Sequence, residues 1–132
     1  MKALVAFAHA LADETRLRIV HLILNEALCV CEIADILEMP QSSVSSHVQV
    51  IRKAGLLNSE RRGKWVYYRM ESRHRKLVQS LDTFFSVSNT LDSVLRADAA
   101  SAVARLALRE QDCCPAPLEL ATRKPAGALS KC

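Results

Sequence analysis

The feature that most narrows the fold is a change of backbone period within residues 40–70. Val44, Val48 and Ile51 recur four and three residues apart, so they share one apolar stripe of a short helix. Pro40 stands just before it, Ser42 is the expected N-cap, and Gly55 can take the left-handed position that ends it. From Trp65 the period drops to two. Trp65, Tyr67 and Arg69 alternate with Val66, Tyr68 and Met70, an aromatic-rich strand. Arg61-Arg62-Gly63-Lys64 reads as a tight cationic turn between that strand and a short one before it. A short helix followed at once by a basic hairpin predicts the last helix and the wing of a winged helix-turn-helix.

The face opposite the stripe carries Ser42, Ser45, Gln49 and Arg52. Small hydroxyls, a bidentate amide and a cation suit base edges and phosphates better than a core. An ordinary solvated face is the alternative, and the basic hairpin favours the DNA reading. The expected DNA-facing set on this helix is Gln41, Ser42, Ser43, Ser45, Ser46, His47, Gln49, Arg52 and Lys53. Arg61, Arg62 and Lys64 join it from the wing, where they would meet the phosphate backbone or the minor groove. Residues 60–76 hold seven cations against two carboxylates, more than the whole chain's net charge of +4. That concentration is the footprint of a nucleic-acid face.

The flanking segments supply the scaffold. Leu4, Phe7, Ala8 and Leu11 have helical spacing. Asp13 then caps a second helix, Glu14 to about Glu26, apolar on most sides through Leu17, Ile19, Val20, Leu22, Ile23 and Leu24. His21 within it is read as a satisfied core or boundary histidine, since no second ligand lies four residues away. A third, shorter helix from Glu32 to about Glu38 turns Ile33, Ile36 and Leu37 inward, and Met39-Pro40 leads into the polar-faced helix. Two short helices joined by a tight turn form the helix-turn-helix. After the hairpin a long helical region carries Leu77, Leu81, Phe84, Leu91, Val94 and Leu95, continued by Ala102 and Leu106. A small domain does not need so long an amphipathic helix for its own core, so a second copy is its expected partner. A two-fold dimer would set two recognition helices about 34 Å apart on duplex DNA.

The expected fold is therefore mainly α with a small β-hairpin, a winged helix-turn-helix dimerising through its terminal helices. Residues 1–112 are the DNA-binding and dimerisation domain. Residues 113–132, rich in Pro, Ala, Gly and Lys from Pro115 onward, are expected to be a disordered, Cys-containing tail. Half of the 132 residues are hydrophobic and 24% charged, a globular balance. No apolar run reaches bilayer length and no signal-peptide layout opens the chain, so a cytoplasmic protein with no membrane partner is expected. Nothing groups a nucleophile, a base and an oxyanion site, so no enzyme is expected.

Four stretches together resemble the ArsR/SmtB family of repressors. They are Asp13 to Val20, Leu28-Cys29-Val30-Cys31-Glu32-Ile33, Ser45-Ser46-His47, and Gly63 to Arg69. The resemblance covers residues 4–112 in the family's order. It implies a homodimeric repressor that sits on double-stranded operator DNA and leaves it when a metal or metalloid binds.

Cysteines decide which ion. Cys29, Cys31, Cys113, Cys114 and Cys132 lie in a chain expected to be cytosolic, where structural disulfides are not expected and thiol ligands are a fair expectation. Cys29 and Cys31 stand where the third helix begins, and free amides and the helix dipole there favour thiolate. In a regular helix residues i and i+2 point about 200° apart. Two such sulfurs share an ion only where the helix start is irregular or is made so. Soft thiolates select soft ions. The Cys-Val-Cys motif resembles the arsenic-sensing subgroup, which implies trivalent arsenic or antimony as inducer. Where that subgroup adds a third cysteine, this chain has Ala34. Three alternatives remain: a third sulfur from Cys113 or Cys114 of either subunit, a two-coordinate arsenical on Cys29 and Cys31, or a separate Cys113–Cys114 site. Cys132 is not expected to be a ligand. Asp82 and Asp92 are read as solvated, and the long helix shows no Asp-x-His zinc pattern. A thiol redox switch on the same DNA-binding frame is the alternative function.

Overall fold

A computed structural model describes residues 1–87, 93–109 and 115. Its order is α1 (Lys2–Leu11), α2 (Glu14–Ile23), β1 (Leu28–Cys29), α3 (Val30–Leu37), α4 (Gln41–Lys53), β2 (Leu57–Arg62), β3 (Trp65–Met70), α5 (Ser72–Phe84) and α6 (Ser93–Leu106). The mainly helical winged helix-turn-helix read from the sequence is the architecture found. Asp13 caps α2 as expected, its carboxylate accepting the Arg16 N–H at 2.9 Å. That bond, aided by the charges of Arg16 and His47, outweighs partial burial and holds the Asp13 carboxyl below its ordinary value. α2 is shorter than expected, ending at Ile23 in a turn.

Ile19, Val20 and Ile23 of α2 meet Ile33 of α3, Val44, Val48 and Ile51 of α4, Leu28, Leu56 and Val78 in one core, all between 0% and 1% exposed. The stripe on α4 is thus buried as its spacing requires. Gly55 has φ +86°, and its N–H bonds to the Arg52 carbonyl at 2.9 Å. An added Cβ would meet nothing within 4 Å, so the backbone angle alone is what asks for glycine there.

Three strands, one more than the hairpin, make the sheet, in the order β1-β3-β2. β2 pairs antiparallel with β3 from Leu57↔Met70 to Arg62↔Trp65, and β1 adds Leu28↔Tyr68 and Cys29↔Tyr67 on the other edge. Pairing through Arg62 leaves only Gly63 and Lys64 for the turn, not the four residues expected. Gly63 takes φ +60°, as a two-residue hairpin loop demands. β3 is therefore central, and both its faces are covered. Tyr68 and Met70 join the main core, while Tyr67, fully buried, forms a second cluster with Ala27 and Cys29, flanked by Cys31 and Trp65.

The long helical region is interrupted. Ser86 adopts φ +54°, with Ser86 N–H bonded to Thr83 O at 3.3 Å and Val87 N–H to Asp82 O at 2.8 Å, a Schellman stop without a glycine. α6 then folds back onto α2 and α3 of its own chain. Ala102 and Leu106, assigned above to a partner-facing stripe, pack on this chain's own core. Leu77, Phe84 and Val94 of the same stripe stay open as expected, and Leu4 and Val5 of α1, Phe85 beyond α5 and Val103 of α6 are exposed as well. Asp82 is not solvated. Both its oxygens lie 2.9–3.0 Å from Nε2 of His21, whose Nδ1 faces the Leu17 carbonyl at 2.9 Å, so His21 is the satisfied boundary residue expected. Among the described residues no helix is long and apolar enough to cross a membrane. Asp92, Cys113, Cys114, Cys132 and the 112/113 domain boundary lie outside them.

Candidate DNA interface and thiol site

α4 presents the polar face its sequence promised. Gln41, Ser42, Ser46, Arg52 and Lys53 are exposed, and Ser43, Ser45, His47 and Gln49 are half-buried. Its N-cap is Pro40, not Ser42. Pro40 sits at φ −60° and ψ 142°, its carbonyl accepts Val44 N–H at 3.1 Å, and the helix starts at Gln41. Ser42 therefore lies within the first turn, where its carbonyl accepts the Ser46 hydroxyl at 3.1 Å. Gln49 leans toward the sheet, donating to the Tyr68 hydroxyl at a long 3.4 Å.

At the wing Arg61, Gly63 and Lys64 are exposed and Arg62 is half-buried. Arg61 Nε donates to the Gly63 carbonyl at 3.2 Å, and the Lys64 ammonium lies 5.0 Å from the Trp65 ring centre. Among the cations counted in residues 60–76, Arg69 pairs with Glu60 at 2.6 Å, Arg73 pairs with Glu71 at 3.5 Å, and Arg75 donates to the Met70 carbonyl at 3.4 Å.

The thiols sit behind this surface. Cys29 is 2% exposed and Cys31 half-buried, and their sulfurs are 2.7 Å apart. The i,i+2 difficulty disappears because Cys29 is not helical. It is the last residue of β1 and the N-cap of α3, at φ −91° and ψ 164°, so its side chain swings round to meet that of Cys31 in the first turn. Val30 accordingly opens α3, two residues earlier than the expected Glu32. Cys29 and Glu32 form a capping box in which the Glu32 carboxylate accepts the Cys29 N–H at 3.1 Å.

That carboxylate is fully buried and is gripped from α6's end. Arg109 donates to it from Nε at 2.6 Å and from Nη2 at 2.9 Å, and also reaches the Ala27 carbonyl at 2.6 Å. Burial works to lower the Arg109 guanidinium's pKa, but the bonds and charge of Glu32, with Tyr67 and Glu26 behind it, outweigh burial and raise it. The Arg109 guanidinium also stands 5.7 Å over the Tyr67 ring, and the Tyr67 hydroxyl donates to the carbonyl of buried Pro115. Sequence reasoning missed Glu32, Arg109 and Tyr67 as parts of this site. A signal existed for Glu32, since an acid three residues after an N-cap is the capping-box spacing, with cysteine in the place of serine. None existed for Arg109.

Two short helices, the second carrying a polar outer face, with a cationic hairpin beside it define a winged helix-turn-helix regulator of the kind that binds DNA. Residues 13–59 match the model for bacterial regulatory proteins of the arsR family. The chain is 36% identical over 75 residues, 55% of itself and 84% of the other, to an uncharacterized HTH-type transcriptional regulator, MJ1325, of Methanocaldococcus jannaschii. It belongs to the arsR family. The arsenic resistance transcriptional regulator ArsR1 of Pseudomonas putida is 45% identical over 73 residues, 54% of this chain and 55% of that one. The cadmium resistance regulatory protein CadC of Listeria innocua is 43% identical over 63 residues, 47% and 53% of the two chains. The chain thus spans about half the length of these two relatives. Among solved structures, HlyU of Vibrio cholerae is 28% identical with a TM-score of 0.58, covering 64% of this chain and 94% of that one, and reduced HlyU gives 0.57. The homodimeric winged helix-turn-helix domain Mb0332 of Mycobacterium bovis shares the fold, with a TM-score of 0.62 at 24% identity over 65% of this chain and 81% of that one. MJ1325, ArsR1 and CadC are transcriptional regulators, and the fold here is that of a DNA-binding regulator, not of an enzyme.

Proposed function

We propose that this protein is a homodimeric repressor whose Cys29 and Cys31 capture trivalent arsenic or antimony, and that capture releases it from operator DNA. The observation that carries the reading is the pair of sulfurs 2.7 Å apart where β1 turns into α3. Ion capture replaces both thiol protons and pulls the two side chains to the ion's own bond angles. The capping box and the Cys29↔Tyr67 pairing then have to give. Both belong to elements that touch the DNA-facing parts: α3 packs on α4, and β3 is a wing strand. Release needs the ion to favour the DNA-incompetent shape by about 1–3 kcal/mol or more.

On the DNA side, Gln41, Ser42, Ser43, Ser45, Ser46, His47 and Gln49 are proposed to face the major groove. Arg52, Lys53, Arg61, Arg62 and Lys64 are proposed to face phosphates. A third thiolate from Cys113 or Cys114 of the same subunit is supported by the two residues that flank them. Arg109 is tied to Glu32 and Pro115 to Tyr67, both neighbours of Cys29.

Replacing Cys29 or Cys31 with Ser should leave operator affinity intact and abolish release by arsenite, read by fluorescence anisotropy on the protein's own promoter fragment under anaerobic conditions. A double variant that still lets go in arsenite sinks the assignment. The same sulfur contact supports a second reading, oxidation to a disulfide, and the likeness to reduced HlyU points the same way. Oxidant without metalloid would then release the DNA, whereas under the first reading only the metalloid does.

A further inference from the structure

We propose that Tyr68 of the wing strand positions the Gln49 amide for base contact, so that a hydroxyl which need not touch DNA helps to set the sequence the protein prefers. This rests on the reading above that Gln49 faces the major groove, and deepens it by naming what aims that side chain. A glutamine standing free on a helix surface keeps several rotatable bonds, and all of them must be frozen when it meets a base. Gln49 is not left so free. It is half-buried, and its Nε2 donates to the Tyr68 hydroxyl at 3.4 Å.

Tyr68 is a firm anchor. β3 is the central strand, and Tyr68 is paired on one side with Leu28 and on the other with Ser59. Its ring lies in the main core, 7% exposed. Core packing alone asks only for a phenylalanine there. A buried tyrosine hydroxyl needs a partner, and the Gln49 amide supplies one from α4. On the helix side, Val48 just before Gln49 and Ile51 just after it are fully buried in the same core. Both ends of the bond are therefore seated on packed elements, which is what keeps a reading group in place. The amide has two N–H donors and one carbonyl. With one N–H engaged by Tyr68, the carbonyl and the other N–H remain. That acceptor and donor are the pair a glutamine presents to the N6 and N7 edge of adenine. The bond thus does not compete with base reading; it chooses the plane in which the amide reads.

The test uses the full chain and its own promoter fragment, with each base pair of the operator substituted in turn. Gln49→Ala should flatten the preference at one position and so mark the base pair that Gln49 reads. Tyr68→Phe removes the hydroxyl and keeps the ring. It should reduce preference at that same position about two- to tenfold, the order of one net hydrogen bond, and leave the ranking at every other position alone. The salt dependence should not change, since no phosphate contact is lost. On top of Gln49→Ala, Tyr68→Phe should add nothing, because it acts through Gln49. A merely structural tyrosine would weaken all operator variants alike, and that result overturns the proposal, as does an additive effect in the double variant. If Gln49→Ala flattens a position and Tyr68→Phe does not, the positioning inference fails and the base-reading assignment stands. If Gln49→Ala changes no preference, both fail.

Discussion

Arg109→Met is the perturbation whose size the structure sets most firmly. The Glu32 side chain is 0% exposed and that of Arg109 9%, and the pair is bidentate at 2.6 and 2.9 Å. Methionine keeps most of the aliphatic volume and removes the charge. Glu32 is then left buried with only the Cys29 N–H, and the Ala27 carbonyl loses its bond as well. Removing one partner of such a pair costs about 3–5 kcal/mol. The Arg73–Glu71 pair supplies an internal control, because its side chains are 80% and 46% exposed. Arg73→Met should change stability by no more than about 1 kcal/mol. Urea unfolding at fixed protomer concentration reads both, and with a slope of about 1–3 kcal/mol per molar the Arg109 variant's midpoint should fall by at least about 1 M. Adding Glu32→Gln to Arg109→Met should recover part of the loss, since the orphaned charge is gone. Equal midpoints for the Arg109 and Arg73 variants would refute the reasoning: Glu32 would then not be buried in solution, and the tie from α6 to the thiols would not exist.

Three further outcomes are expected. Asp13→Ala should cost about 1 kcal/mol near neutral pH. Because the folded carboxyl lies below its ordinary 3.8, that advantage is complete above this value and fades as pH falls through the lower, folded one, so acid titration of both proteins should make their stabilities converge. Arg61→Gln or Lys64→Gln should flatten the salt dependence of operator binding by about 0.9 per removed phosphate contact and leave the ranking of operator variants alone; a changed ranking would mean base contact instead. Leu4→Glu and Phe84→Glu should each turn the dimer into a monomer in light scattering, since both residues are bare in the isolated chain, at 71% and 78% exposure; a dimer that survives both moves the interface elsewhere.

Much of the fold was legible because it is written in local periods. The α4 stripe, the Gly55 stop, the Asp13 cap and the alternation of β3 each depend on residues close in sequence. What escaped depends on tertiary geometry. A Pro40 cap was overlooked because a serine two residues on is the commoner choice. β1 is only Leu28–Cys29, too short to show a period, and exists because β3 offers it an edge. The break at Ser86 carries no glycine or proline to announce it. The thiol pair was half legible. Spacing named both residues, but only the extended backbone at Cys29 shows how two side chains that would diverge on a helix come to touch.

α6 has two faces, one that leaves Val94 and Val103 open to a partner and one that packs on this chain and leads to the thiol site. Three cation–acid pairs fasten it and the turn that follows it: Arg18–Asp98 at 2.8 Å, Arg105–Asp35 at 2.8 Å and, three residues past Leu106, Arg109–Glu32 at 2.6 Å. They are not equal. Asp35 is 59% exposed, so solvent screens that pair, and Arg18 is 28% exposed, whereas at Arg109–Glu32 neither side chain exceeds 9%. The pair costliest to break is thus the last, in the turn just past α6 and nearest the cysteines. A helix held only by apolar contact could slide a turn; one held by a bidentate pair has one register. That register fixes where Arg109 stands, and Arg109 holds Glu32, which holds the Cys29 amide. Any ligand that draws Cys29 out of its cap must therefore also work against the buried pair, which couples the sulfurs to a helix that packs on α2 and α3 as well as to the wing.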